Sequence, residues 1–206
     1  MALTTTFESL EYLKRKDKCF SVLEEKNGII SQTNNLDIFS SFIFHFISQM
    51  LSNKVADLLW NRFITIVGEV EPNHILKVSD DIIRSIGISR AKIEFIKSFC
   101  DDIVNRKLIL DNLNELSDIG LIKSLTKIKG VGEWTTKMIA LFNLERENIF
   151  SFKDVALKGG ILKFHPQFKS LSKKRFGKLR KLYSPYSSYA SLYFYKVNDD
   201  HCYKLD

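Results

Sequence analysis

The sequence predicts an all-α fold, at a length that fits one domain or two small lobes sharing a cleft. Three observations carry that expectation. Apolar residues recur at helical spacing through nearly every segment, no convincing pair of alternating strands appears, and Leu125 to Asp154 reads as two helices joined by the glycine turn Gly130-Val131-Gly132. With 206 residues, three prolines, nine glycines and 16 phenylalanines, the chain can bury a proper core and has no collagenous, disordered or disulfide-rich signature.

Each element has a local reason. Phe7, Leu10, Tyr12 and Leu13 mark a first helix, and Asp17 can cap a second carrying Phe20, Val22 and Leu23 before Gly28 ends it. Asp37 caps the next, Ile38 to Met50, which is apolar on nearly every side and is expected to be central and buried. Its His45 reads as a core histidine, because no partner ligand stands nearby at metal-binding spacing. Ser52 opens a helix with Val55, Leu58, Leu59, Phe63 and Ile66 on one face, and the helical period there outweighs the β-branched run that follows Phe63.

A short connection after Pro72 leads to a small helix begun by Ser79 or Asp80 and closed near Gly87. Ser89 opens a longer one with Ile93, Ile96, Phe99, Cys100, Ile103 and Val104 inward. Ser117 begins the first hairpin helix, expected to end at Ile128, and Glu133 to Leu144 forms the second, with Trp134, Met138, Ile139, Leu141 and Phe142 on its apolar stripe. Asp154 stands where an N-cap belongs, and Gly159-Gly160 should leave the helix behind it short or broken. Ser172 opens a basic helix to about Tyr183, and Pro185 starts a last helix with Tyr186, Tyr189, Leu192, Tyr193 and Val197.

The net charge of +7 is unevenly spread, since ten Lys and Arg residues and no acid lie between Val155 and Asn198. Such a block is the electrostatic footprint of a nucleic-acid binder, or else a solvated lysine-rich face. Cys19, Cys100 and Cys202 are odd in number and far apart, which argues for reduced thiols rather than a disulfide framework or a metal site. The N-terminus lacks the basic-then-apolar pattern of a secretory signal and no apolar run is long enough to span a bilayer, so an intracellular protein without membrane attachment is expected. A Gly-x-Gly turn frees the backbone to approach a phosphate at a helix start, although on its own it is more often a plain tight connection.

The ordered set of features decides between these readings. "LTKIKGVGEWTTKMIALF", followed by Asp154 in "FSFKDVALKGG", together with "SQMLS", "GISRAKIEFI" and "YSPYSSYASLYFY", resembles the helix-hairpin-helix DNA glycosylase superfamily, and within it the 3-methyladenine DNA glycosylase II branch. The resemblance runs from about Phe39 to Tyr195. It implies a single glycosylase domain over residues 1–206, with a middle lobe at about 37–125 and the N-terminal helices and 126–206 forming the other.

The resemblance also implies roles. Asp154 matches the catalytic aspartate, and Lys129, Gly130, Val131, Gly132 and Thr135 match the phosphate-gripping turn. Gln49, Met50 and Leu51 match the segment that fills the gap left by a flipped base, the alternative for Met50 being a buried methionine at a helix end. Trp134, Tyr195 and Met138 fall where base-pocket residues are expected. Trp134 stands where bifunctional relatives carry a Schiff-base lysine, the iron–sulfur cysteines of another branch are missing, and Thr136 and Tyr195 replace a usual alanine and a frequent tryptophan.

The implied activity is monofunctional hydrolysis of the N-glycosidic bond of alkylated purines in double-stranded DNA, by a monomer without metal or organic cofactor. The alternatives are a glycosylase for oxidised, deaminated or mismatched bases, and a non-catalytic DNA-binding protein.

Overall fold

The computed structural model describes residues 2–199. Among them it holds twelve α-helices and one two-stranded sheet: β1 Ala2–Thr4, α1 Phe7–Lys16, α2 Cys19–Asn27, β2 Ser31–Thr33, α3 Ile38–Ser48, α4 Asn53–Val67, α5 Pro72–Lys77, α6 Asp80–Ser85, α7 Arg90–Val104, α8 Asp118–Leu125, α9 Glu133–Phe142, α10 Val155–Phe164, α11 Lys173–Tyr183 and α12 Ser187–Asp199. The chain divides into two compact units, one of Met1–Asn34 with Ala140–Asp206 and a middle one of Asn35–Ile139. The glycine hairpin and most of α9 therefore pack with the middle unit, beyond the boundary near 125 that the sequence suggests.

In the middle unit, α3 is the central helix. Phe42, Ile43, Phe46 and Ile47 are wholly buried, and Phe42 and Phe46 meet Phe99 of α7 at ring-centroid distances of 5.0 and 5.6 Å. Asp37 caps α3 by accepting the Ser40 N–H at 2.8 Å. The buried stripe of α4 is Ala56, Leu59, Trp60, Phe63 and Val67, while Val55 and Leu58 are exposed, which rotates the inward face from the one expected. Apolar residues occupy both candidate faces, and the indole decides: Trp60 stacks on Phe63 at 6.1 Å and meets Phe44 edge-on at 5.6 Å, so the aromatic area goes inside. On α7, Val104 at the helix end is exposed rather than inward. The α8 helix stops at Leu125, one turn before Ile128, because the turn into the hairpin begins there.

The other unit contains the element the sequence did not disclose. β1 and β2 pair antiparallel with Ala2 opposite Thr33 and Thr4 opposite Ser31. Three-residue strands flanking two helices are too short for alternation to register. Its core is aromatic: Phe20 of α2 meets Tyr183, Tyr193 and Phe194 edge-on at 5.3, 5.9 and 5.6 Å. Tyr186, expected inside the last helix, precedes α12.

The α10 helix runs unbroken through Gly159-Gly160. A Cβ on Gly160 would stand 1.9 Å from the Phe194 carbonyl oxygen, and one on Gly159 would stand 2.4 Å from Asn198 Oδ1. Gly160 therefore lets α10 lie directly against the backbone of α12, and that close packing outweighs a propensity cost of about 1 kcal/mol per glycine. Cys19 and Cys100 are free thiols, while Cys202 lies outside the described residues.

Candidate functional site

The predicted residues fall into one group in each unit. In the middle unit the group is built on the hairpin between α8 and α9. Gly130 has φ of 83°, and a Cβ there would lie 2.5 Å from the Phe95 ring, so the fold itself requires glycine at that position. Gly132 differs: it is exposed, its φ is outside the left-handed region, and a Cβ would meet nothing within 4 Å. No packing demand explains it, whereas a missing side chain at the start of a ten-residue helix opens backbone N–H groups to an anion.

Val131 is buried and anchors the turn by donating its N–H to the Ile128 carbonyl at 3.0 Å. Lys129 is half-exposed and pairs with Glu94 at 2.5 Å. An ion pair so open to water is weakly held and can be exchanged for a phosphate. Thr135 is 2% exposed and packs inward in the first turn of α9. Thr136, also buried, donates its hydroxyl to the Gly132 carbonyl at 3.1 Å and stiffens the entry into α9.

Met50 follows Gln49, the C-cap of α3. Its φ is 59° and its side chain is as exposed as in an extended chain, at 102%, so it is not a buried methionine at a helix end. A non-glycine residue in the left-handed region with its whole apolar side chain in water is unfavourable on both counts, and the surroundings impose it. Lys92 Nζ donates to the Ile47 and Gln49 carbonyls, both at 2.8 Å, and Gln49 Nε2 donates to the Gly130 carbonyl at 2.9 Å. The protruding methionine and the hairpin are thus fixed to one another through Gln49. Leu51 beside it is partly exposed.

Trp134 on α9 is half-buried and meets the His45 ring edge-on at 5.7 Å. Nδ1 of His45 is closed off from water without a hydrogen-bond partner, and burial pushes its pKa down to about 4, so the imidazole is neutral. Met138, one turn further along α9, is buried.

In the other unit the group centres on Asp154, the N-cap of α10, which is 5% exposed. Its Oδ1 accepts the Leu157 N–H at 2.8 Å and its Oδ2 accepts the Tyr195 hydroxyl at 3.1 Å. Burial, and next the Asp154 charge, raise the Tyr195 pKa well above the phenol range, so Tyr195 remains a donor. The Tyr195 ring lies 6.3 Å from that of Phe142. The outcome is a carboxylate at a helix N-terminus that accepts the Leu157 N–H and the Tyr195 O–H. On α11, Phe176, Leu179 and Tyr183 turn inward, leaving Lys173, Lys174, Arg175, Lys178, Arg180 and Lys181 exposed.

Sequence reasoning missed Lys92 and Glu94, whose partners are distant backbone and a distant lysine, and it gave Tyr195 no link to Asp154. No local pattern marks such contacts, which arise only once α7 and α12 are placed.

A glycine hairpin between two helices, followed by a buried carboxylate capping the next long helix, defines a helix-hairpin-helix protein of the base-excision type. The chain belongs to the HhH-GPD superfamily of base excision DNA repair proteins, whose sequence profile matches residues 43–185. Among its relatives, DNA-3-methyladenine glycosylase 1 of Schizosaccharomyces pombe is 29% identical over 155 residues, covering 73% of this chain and 68% of that protein. A Bacillus subtilis relative, 29% identical over 158 residues, is matched over 73% of this chain and 55% of its own length. The solved structure of the S. pombe 3-methyladenine DNA glycosylase in complex with abasic DNA superposes with a TM-score of 0.86 at 25% identity, covering 97% of this chain and all of that one.

Proposed function

We propose that the protein is a monofunctional DNA glycosylase that removes alkylated purines of the 3-methyladenine and 7-methylguanine type from double-stranded DNA, acting as a monomer inside the cell. The observation that carries this reading is Asp154, a buried carboxylate fixed by Leu157 N–H and Tyr195 O–H at the start of α10. Its negative charge stands ready for the positive charge that develops on a sugar as its glycosidic bond breaks.

In the reaction the bond between C1′ and the purine nitrogen breaks and its electron pair leaves with the base. A methylated purine is cationic and departs as a neutral molecule, so no strong acid is required. Asp154 stabilises the sugar cation, and a water adds to C1′ with loss of one proton, which Asp154 can accept. Tyr195 positions the carboxylate. The half-exposed indole of Trp134 offers a π face for a cationic base. Trp134 also occupies the place of a lyase lysine, which supports hydrolysis without strand cleavage.

DNA is held through its backbone: the N–H groups at Gly132, Lys129 and the exposed cations of α11 suit phosphates and carry no sequence preference. Met50, held rigidly in water, suits insertion into the space a flipped base vacates, offsetting an unstacking cost of a few kcal/mol. The test is to incubate purified protein with methylated duplex DNA and measure liberated 3-methyladenine and 7-methylguanine. Release of both is expected. Binding without any release would overturn the proposal in favour of a DNA-binding module, and release confined to oxidised, deaminated or mismatched substrates would move it to another base class.

A further inference from the structure

The segment after α10 brings His165 against the turn between α1 and α2. His165 is 4% exposed, and its Nε2 is shut off from solvent without a hydrogen-bond partner. The nearest acidic oxygen to that nitrogen is Asp17 Oδ2, 3.5 Å away. Cys19 stands beside the same carboxylate, and one ligand atom each from Asp17, Cys19 and His165 lies within 4.8 Å of the others. All three residues belong to the same compact unit.

From this cluster and its orphaned imidazole nitrogen we infer that Asp17, Cys19 and His165 bind one zinc ion. A thiolate, an imidazole and a carboxylate are the ligands zinc takes, at about 2.3, 2.0 and 2.0 Å. Around a tetrahedral ion such bonds place the donor atoms roughly 3.3–3.5 Å apart, so the ligand atoms, which here lie within 4.8 Å of one another, draw closer on binding. A fourth position is left for water.

The surroundings are those of a metal site. The Tyr183 hydroxyl donates to Asp17 Oδ2 at 2.8 Å, and the Cys19 backbone N–H donates to Oδ1 at 3.1 Å, so the carboxylate is oriented by two groups that are not themselves ligands. On the far side of the imidazole, the Gln167 side-chain amide lies 3.4 Å from Nδ1. Its oxygen can accept Nδ1–H when Nε2 carries the metal. On binding, the Cys19 proton is released to solvent. Burial, followed by the neighbouring carboxylate, holds that thiol at about 11 in the absence of a cation, and a divalent ion reverses this. The site would fasten the α1–α2 turn to the segment following α10 within one unit, a structural role separate from Asp154. The other acidic and histidine cluster, Glu69, Glu71 and His74, is largely exposed and has no such orphaned atom.

Cobalt titration of the purified full chain, stripped of metal with a chelator, tests the site directly. One equivalent should produce tetrahedral d–d absorption together with a thiolate-to-cobalt charge-transfer band, and zinc should displace it. Cys19→Ser should abolish the charge-transfer band. Tyr183→Phe, which keeps the ring, should weaken zinc by about 10- to 100-fold, as loss of an outer-shell hydrogen bond does. His74→Gln should change nothing. If the wild-type protein shows no charge-transfer band, or if the band survives Cys19→Ser, the inference is overturned whatever the stability of any variant.

Discussion

Replacing Asp154 with asparagine separates the two roles its position combines. Oδ1 caps α10 through the Leu157 N–H at 2.8 Å, and Oδ2 meets the Tyr195 hydroxyl at 3.1 Å. An asparagine caps a helix as well as an aspartate does, and its amide can keep both contacts, the carbonyl oxygen with Leu157 and the NH2 with the phenol oxygen. Stability should therefore fall by less than about 1 kcal/mol. What disappears is the charge facing the sugar cation, and loss of one preorganised electrostatic partner costs roughly 10²–10³ in rate. Asp154→Ala removes the cap as well, adding about 1 kcal/mol of instability, and strands a half-buried hydroxyl. The assay is single-turnover base release from methylated duplex, with urea unfolding of each variant. A folded Asp154→Asn protein that retains more than about a tenth of the wild-type rate would refute the assignment.

Three further outcomes follow from the packing. Gly132→Ala meets nothing within 4 Å, so its stability should stay within about 0.5 kcal/mol of wild type while DNA affinity drops, whereas Gly130→Ala, at φ of 83° against Phe95, should lose about 1–3 kcal/mol; urea midpoints and DNA titrations distinguish them. Gly160→Ala would set a methyl 1.9 Å from the Phe194 carbonyl oxygen and should cost more than about 3 kcal/mol or prevent folding, read by urea unfolding or soluble yield. His45 has a folded-state pKa of about 4, below its ordinary 6.5, so the unfolded chain takes up this proton first. Its contribution to stability is full above about pH 6.5 and is lost as the pH falls towards 4, with a slope of at most about 1.4 kcal/mol per pH unit; His45→Gln should show a shallower decline between pH 7 and pH 5.

Much of this molecule was legible before any coordinates. Asp37, Ser79, Ser117, Asp154 and Ser172 all cap helices as their positions suggested, because capping is a local transaction between a side chain and the next three amides. The family was legible for a different reason: spacing between the hairpin and Asp154 is carried by the chain itself. Reading failed where tertiary contact overrides local preference. Gly159-Gly160 reads as a break, since propensity cannot know that the backbone of α12 lies against Gly160. The inward face of α4 turned on Trp60, whose partners come from other parts of the chain as well as its own helix. Asp17, Cys19 and His165 lie too far apart in sequence for any ligand-spacing rule to join them.

Hydrolysis of the glycosidic bond assisted by Asp154 should leave the DNA strand intact. A duplex carrying one 7-methylguanine, treated with the wild-type protein and analysed for both free base and strand integrity, tests it most directly. Free 7-methylguanine and abasic sites should appear in equal amounts, on an uncut strand that breaks only when alkali is added. An unchanged duplex, or a strand nicked by the protein alone, would contradict it.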